Sequence, residues 1–152
     1  MDDKLKLTFM TAIMDILFVY ILKLAPTSFR DDIFIGVTLI FHSVFYYALW
    51  NHKQELLIVL HLMVYLLIGA SLYVDSVWIQ KVCLGLALFI KYLWETEGRC
   101  ILQGEHDEFS FGYEQEVEQF NTTMAGSLAA SIVSKYNIEQ NWLMDLVLNS
   151  CL

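Results

Sequence analysis

The sequence predicts an all-α fold: a four-helix transmembrane bundle followed by a C-terminal amphipathic helical tail. Three observations predict it. Of 152 residues, 57% are hydrophobic, with a mean hydropathy of +0.52; soluble domains sit at roughly 45–50% apolar. The apolar residues concentrate ahead of Cys100, in blocks close to the ~20 residues needed to cross a bilayer core. The charge is uneven as well: residues 1–100 hold eight Lys/Arg against nine Asp/Glu, whereas residues 101–152 hold only Lys135 against eight acids. The chain therefore divides into a transmembrane bundle, residues 1–100, and an acidic helical tail, residues 101–152, facing water or a partner.

The first span runs from Leu5 to Ala25 and stops at Pro26, with Lys6 and Lys23 near enough to its edges for their ammonium groups to snorkel. Thr27–Asp32 is a polar turn, in which Asp31 and Asp32 stand where a helix N-terminus favours negative charge. The second span is Ile33–Trp50. The short connector Asn51–Glu55 makes an antiparallel hairpin with the third span, Leu56–Val74. Asp75-Ser76 leads into the fourth, Val77–Trp94. Aromatic residues gather where the interfaces should fall: Tyr46, Tyr47, Trp50, Tyr92 and Trp94 towards one side, Tyr73 and Trp78 towards the other. Six Lys/Arg (Lys4, Lys6, Lys53, Lys91, Arg99, Lys135) against three (Lys23, Arg30, Lys81) put both termini on the cytoplasmic-equivalent side. The first apolar block outruns a signal-peptide core and lacks a small-x-small cleavage site, so it reads as an uncleaved span.

In the tail, Tyr113, Val117, Phe120, Met124, Leu128, Ile132 and Tyr136 recur at helical spacing. Gly126, Ala130 and Ser134 form a strip of small residues against which a helix can pack closely. Trp142 and its apolar neighbours make a second amphipathic stretch after Asn137. The expected interaction face is Val117, Phe120, Met124, Gly126, Ala130, Ser134 and Trp142, lying on the membrane or on other subunits of an assembly. Asn121-Thr122-Thr123 has the form of a glycosylation sequon, but the expected topology keeps it from glycosylating enzymes.

Asp15 lies at the middle of the first span, where an ionised group costs at least about 2.5–3.5 kcal/mol, so it should face the bundle and find a partner. His42 falls at nearly the same depth on the second span. Thr8, Thr11 and Asp15 form one polar stripe, and His61 with Tyr65 lies on the third span. The expected intramembrane polar cluster is Asp15, His42, His61 and Thr11. It reads either as interhelical hydrogen bonding that fixes packing or as a proton or ion path.

Other chemistry is not signalled. Acidic composition argues against nucleic acid as a partner. Cys83, Cys100 and Cys151 have neither disulfide-framework nor metal-ligand spacing, no P-loop, GxSxG, HExxH or dinucleotide fingerprint occurs, and nothing frames Cys100 and His106 as a catalytic pair. Cys100, beside a span, also fits palmitoylation. No enzyme activity, cofactor or metal is expected.

Trp94, Gly98, Cys100, Ile101 and Leu102 match a W-x-x-x-(N/G)-x-C-(I/L)-L pattern that closes a membrane helix. This segment resembles small multi-span membrane proteins of large nucleocytoplasmic DNA viruses, although the Asn often found before the Cys is missing. The resemblance implies a virion inner-membrane protein that links lipid to minor capsid proteins. The residues themselves point to a non-enzymatic membrane component of a larger assembly. An accessory subunit of a respiratory or photosynthetic complex and a small oligomeric proton or ion channel using Asp15 and His42 are the alternatives.

Overall fold

The computed structural model describes residues 3–97 and 114–136, and these are helical with short turns between. In order come α1 (Asp3–Leu24), α2 (Phe29–Trp50), α3 (Gln54–Ala70) closed by a 3-10 turn (Ser71–Tyr73), α4 (Val77–Glu97) and α5 (Glu114–Tyr136). Four segments are long and apolar enough to cross a membrane: Lys4–Leu24, Phe29–Trp50, Glu55–Tyr73 and Val77–Thr96. That is the make-up of a multi-pass membrane protein.

The boundaries sharpen those expected from hydropathy. α2 starts at Phe29 rather than Ile33 because Ser28 caps it. Asp31 N–H donates to Ser28 Oγ at 3.3 Å, and Ser28 N–H donates back to Asp31 Oδ2 at 2.8 Å, a reciprocal capping box. Asp31 is thus the third helical residue, not the cap. α3 starts at Gln54, which shortens the hairpin turn to Asn51–Lys53. His52 takes the left-handed conformation there (φ 53°) so that the chain can reverse. The last turn of the third span tightens to 3-10 geometry, with Ser71 Oγ donating to Ile68 O at 2.6 Å.

One end of the bundle carries the start of α1, the α2–α3 turn and the end of α4; we call it the N face. The opposite face carries the α1–α2 turn, the 3-10 turn and the start of α4. The main core, Phe18, Ile35, Ile68, Ile79, Ala87 and Leu128, lies towards the opposite face. A smaller cluster, Leu7, Phe41, Phe45, Leu49 and Leu60, fills the N-face half. Between 22% and 44% of each span is buried within the chain, so most of the apolar helix surface is left for lipid or other helices.

α5 runs antiparallel to α4 along its length. Asn121 Nδ2 donates to Ala87 O at 2.9 Å, Ser131 Oγ donates to Gln80 Oε1 at 3.2 Å, and Lys135 Nζ donates to Val74 O at 2.6 Å and Asp75 O at 3.3 Å. The face that closes on α4 and the core is Asn121, Ala125, Leu128, Ala129 and Ile132. Alanines on α5 against Ala87 and Cys83 on α4 let the two backbones approach closely. The sequence places this helix on the membrane or on another subunit and counts Lys135 on the N-face side; the structure instead packs it along α4 inside the chain and brings Lys135 to Val74 and Asp75 at the opposite face.

Candidate functional site

The intramembrane polar residues are placed by helix periodicity. Asp15 sits mid-way along α1, and the antiparallel α2 brings His42 to the same depth: His42 Nδ1 lies 2.5 Å from Asp15 Oδ1. One turn further along α2, Tyr46 donates its hydroxyl to Asp15 Oδ2 at 3.2 Å. Both carboxylate oxygens are therefore engaged, as an acid at mid-bilayer depth requires. The Asp15–His42 contact is the one the sequence points to. Tyr46 is a third member that the sequence reading assigns only to an interfacial belt; its place four residues after His42, on the same helix face, is the signal that could have found it.

Thr11 and His61 do not join this network directly. Thr11 Oγ1 donates to Leu7 O at 2.9 Å, within α1. His61 Nε2 lies 3.4 Å from the Tyr65 hydroxyl one turn along α3, with the two rings 5.6 Å apart. What unites them is a cavity of about 80 Å³ at the centre of the bundle, whose wall includes Thr11, Thr38, His42, His61 and Tyr65 among mainly apolar side chains. Its volume admits water molecules where polar groups face it. An imidazole, a carboxylate and a phenol in contact are groups able to hand on a proton. Among the described residues, no three His, Cys, Asp or Glu side chains converge to hold a metal ion.

Other buried polar groups join helices at the opposite face. Asp31, 1% exposed, accepts at Oδ1 from Asp75 N–H (2.9 Å) and Ser76 N–H (3.0 Å), the residues that lead into α4. Ser28 Oγ donates to Asp75 Oδ2 at 2.8 Å. Gln80, fully buried, donates to Ser71 O at 3.2 Å and accepts from Ser131 of α5. Sequence reasoning passed over Gln80, although an uncharged amide within a membrane span is itself a sign of an interhelical bond. At the N face Lys4 Nζ meets the His52 ring at 3.1 Å, tying α1 to the α2–α3 turn.

Of the expected tail face, Phe120 packs edge-on against Tyr65 (6.4 Å between ring centres) and Met124 approaches Gly69, so both lie against α3. Gly126 is half-buried, while Ala130 and Ser134 are exposed. Val117 falls on α5; Trp142, Cys100 and His106 lie outside the described residues, as does the resemblance segment after Glu97.

No protein-family model, curated protein or solved structure matches the chain.

Proposed function

We propose that this chain is a non-enzymatic integral membrane component of a larger assembly, anchored by α1–α4, with α5 and the acidic tail supplying the docking surface. The observation that carries this reading is the use to which buried polar side chains are put. Asp15 binds α1 to α2, Asp31 binds α2 to the start of α4, Gln80 binds α4 to the 3-10 turn and α5, and Asn121 binds α5 to α4. Each acts as a fastener between elements. The resemblance carried by Trp94–Leu102 makes a virion inner membrane and minor capsid proteins our specific candidates for membrane and partner. An accessory subunit of a respiratory or photosynthetic complex is the alternative of the same class.

The test is extraction of the full chain from its own membrane in mild detergent, followed by measurement of the size and composition of the particle. Stoichiometric capsid proteins support the viral form, and electron-transport subunits support the other. A chain that elutes alone, as a monomer, rules the reading out.

One observation favours a second reading, a proton path: the cavity places His42, which contacts Asp15, and His61 on one wall system. Liposomes containing a pH-sensitive dye decide it. Proton flux that disappears in Asp15→Asn supports the path, and absence of flux in the unaltered chain removes it.

A further inference from the structure

The register of α5 against its neighbours fixes both its direction and its depth. Asn121 meets Ala87, Ser131 meets Gln80 and Lys135 meets Val74, so the numbers rise along α5 as they fall along α4 and the turn before it. On another side Phe120 and Met124, one turn apart, lie against Tyr65 and Gly69 of α3, also one turn apart. The helix axis therefore lies along the bundle, antiparallel to α4 and parallel to α3. By the same register Glu114, where α5 begins, draws level with Trp94, the end of the fourth apolar run. The 23 residues of α5 are about 34 Å long, enough to cross a ~30 Å hydrocarbon core.

Hydropathy does not mark α5 as a span because amides and hydroxyls interrupt its apolar residues, yet from Gln119 to Ser134 it carries no ionisable side chain. Its polar groups are provided for. Asn121 and Ser131 bond to α4. Thr123 Oγ1 donates to Gln119 O at 2.8 Å and Ser127 Oγ donates to Thr123 O at 2.9 Å, so the outward hydroxyls close on their own helix backbone. Ala125 and Leu128 sit in the main core with Phe18 and Ile79. Lys135 stands at the end of α5 and binds carbonyls at the opposite face, the place a membrane helix gives to a lysine. A helix lying flat on the N face could not reach both Ala87, mid-way along α4, and Val74, beyond its far end.

We propose that α5 is a fifth membrane-crossing helix, and that the chain following it emerges at the face opposite the start of α1. The inference rests on the membrane reading of α1–α4 and not on an assembly partner. Residues 137–151 include Glu139 and Asp145 and are too few to cross back, since a span needs about 20 mostly apolar residues. The acidic tail is thereby divided: Glu139 and Asp145 are offered to partners in a different compartment from the six acids that lie between Ile101 and Gln119. The charge count behind the expected orientation changes as well. With Lys135 moved across, six Lys/Arg against three become five against four, which no longer selects an orientation.

The test has two arms, both on the full chain in a bilayer, with Cys83 kept because it is buried. For depth, Cys100 and Cys151 are changed to Ser and a nitroxide is attached through Thr123→Cys on α5, Ile40→Cys mid-way along α2, or Lys53→Cys in the N-face turn, all exposed positions. The labels at Thr123 and Ile40 should collide with oxygen, be shielded from a water-soluble nickel chelate, and lie within about 5 Å of each other in depth, one helical turn. The label at Lys53 should show the reverse. For sidedness, a membrane-impermeant maleimide is added to sealed vesicles in which Lys53→Cys is labelled from one side only. Cys151, retained in a Cys100→Ser chain, should be labelled from the other side, together with Arg30→Cys at the start of α2. An epitope appended after Leu152 should be cut by protease on that same side, a readout independent of how well the thiol is reached. The proposal is overturned if Cys151 or the epitope follows Lys53→Cys, or if the nickel chelate reaches Thr123 as readily as Lys53. A nickel-accessible label at Ile40 would overturn the membrane reading itself, so the two failures are told apart.

Discussion

Replacing Asp31 by Ala should loosen the opposite face of the bundle more than any cap substitution alone. Its carboxylate accepts three backbone N–H groups: Ser28 at 2.8 Å, Asp75 at 2.9 Å and Ser76 at 3.0 Å. Loss of the cap contribution costs about 0.5–2 kcal/mol. Ser76 is buried, so its N–H is left without a partner and adds about 1–3 kcal/mol. The Asp75 side of the clasp is exposed and water can replace its bond. The expected destabilisation is therefore about 1.5–5 kcal/mol, and Asp31→Asn, which keeps an acceptor oxygen, should lose about half as much. Cys83, buried in the core, supplies the assay. In a chain with Cys100 and Cys151 changed to Ser, a thiol-reactive dye becomes fluorescent only when the core opens on heating. At about 2–4 °C per kcal/mol for a chain of this size, Asp31→Ala should lower the midpoint by at least about 3 °C. A shift under 2 °C, or equal shifts for Ala and Asn, would refute the clasp.

The same assay checks three further expectations. Asp15→Leu and His42→Leu should each destabilise by about 1–3 kcal/mol, while the double substitution should be milder than their sum, because removing both partners leaves no unpaired buried group; additive effects would mean the contact contributes nothing. His52→Val should cost about 1–2 kcal/mol, since a β-branched residue is strained at positive φ, whereas His52→Gly should match or exceed the parent, the exposed Lys4 contact being worth little. Gln80→Leu should cost about 1–3 kcal/mol and speed amide hydrogen exchange in α5 more than in α2, because it removes the bond from Ser131 together with those to the 3-10 turn; uniform exchange would show that α5 is held by its apolar contacts alone.

Much of this arrangement was legible in the residues. Runs of bilayer length ended by Pro26, by Asn51 and by Asp75 give four spans, and equal depth on antiparallel neighbours gives Asp15 facing His42. Hydropathy does not resolve where a helix starts when its first turn is polar. Phe29–Asp32 reads as loop by composition, yet the Ser28–Asp31 capping box makes it helix. α5 was legible as a helix but not in its docking. A periodic apolar face says that something covers it and does not say what; Leu128 and Ile132 of that face are buried as periodicity expects, while Asn121, Ala125 and Ala129 join them because α4 and the core lie close against α5.

The seam between α4 and α5 also sets an order of events. Gln80 and the carbonyls of Val74 and Asp75 are synthesised well before Ser131 and Lys135, the groups that meet them. While the ribosome is still producing α5, the Gln80 amide N–H can already bond Ser71 and Leu72, but its Oε1 and the carbonyls of Val74 and Asp75 face lipid or headgroup water. The polar side of α4 that these groups form is thus completed only by the arrival of α5.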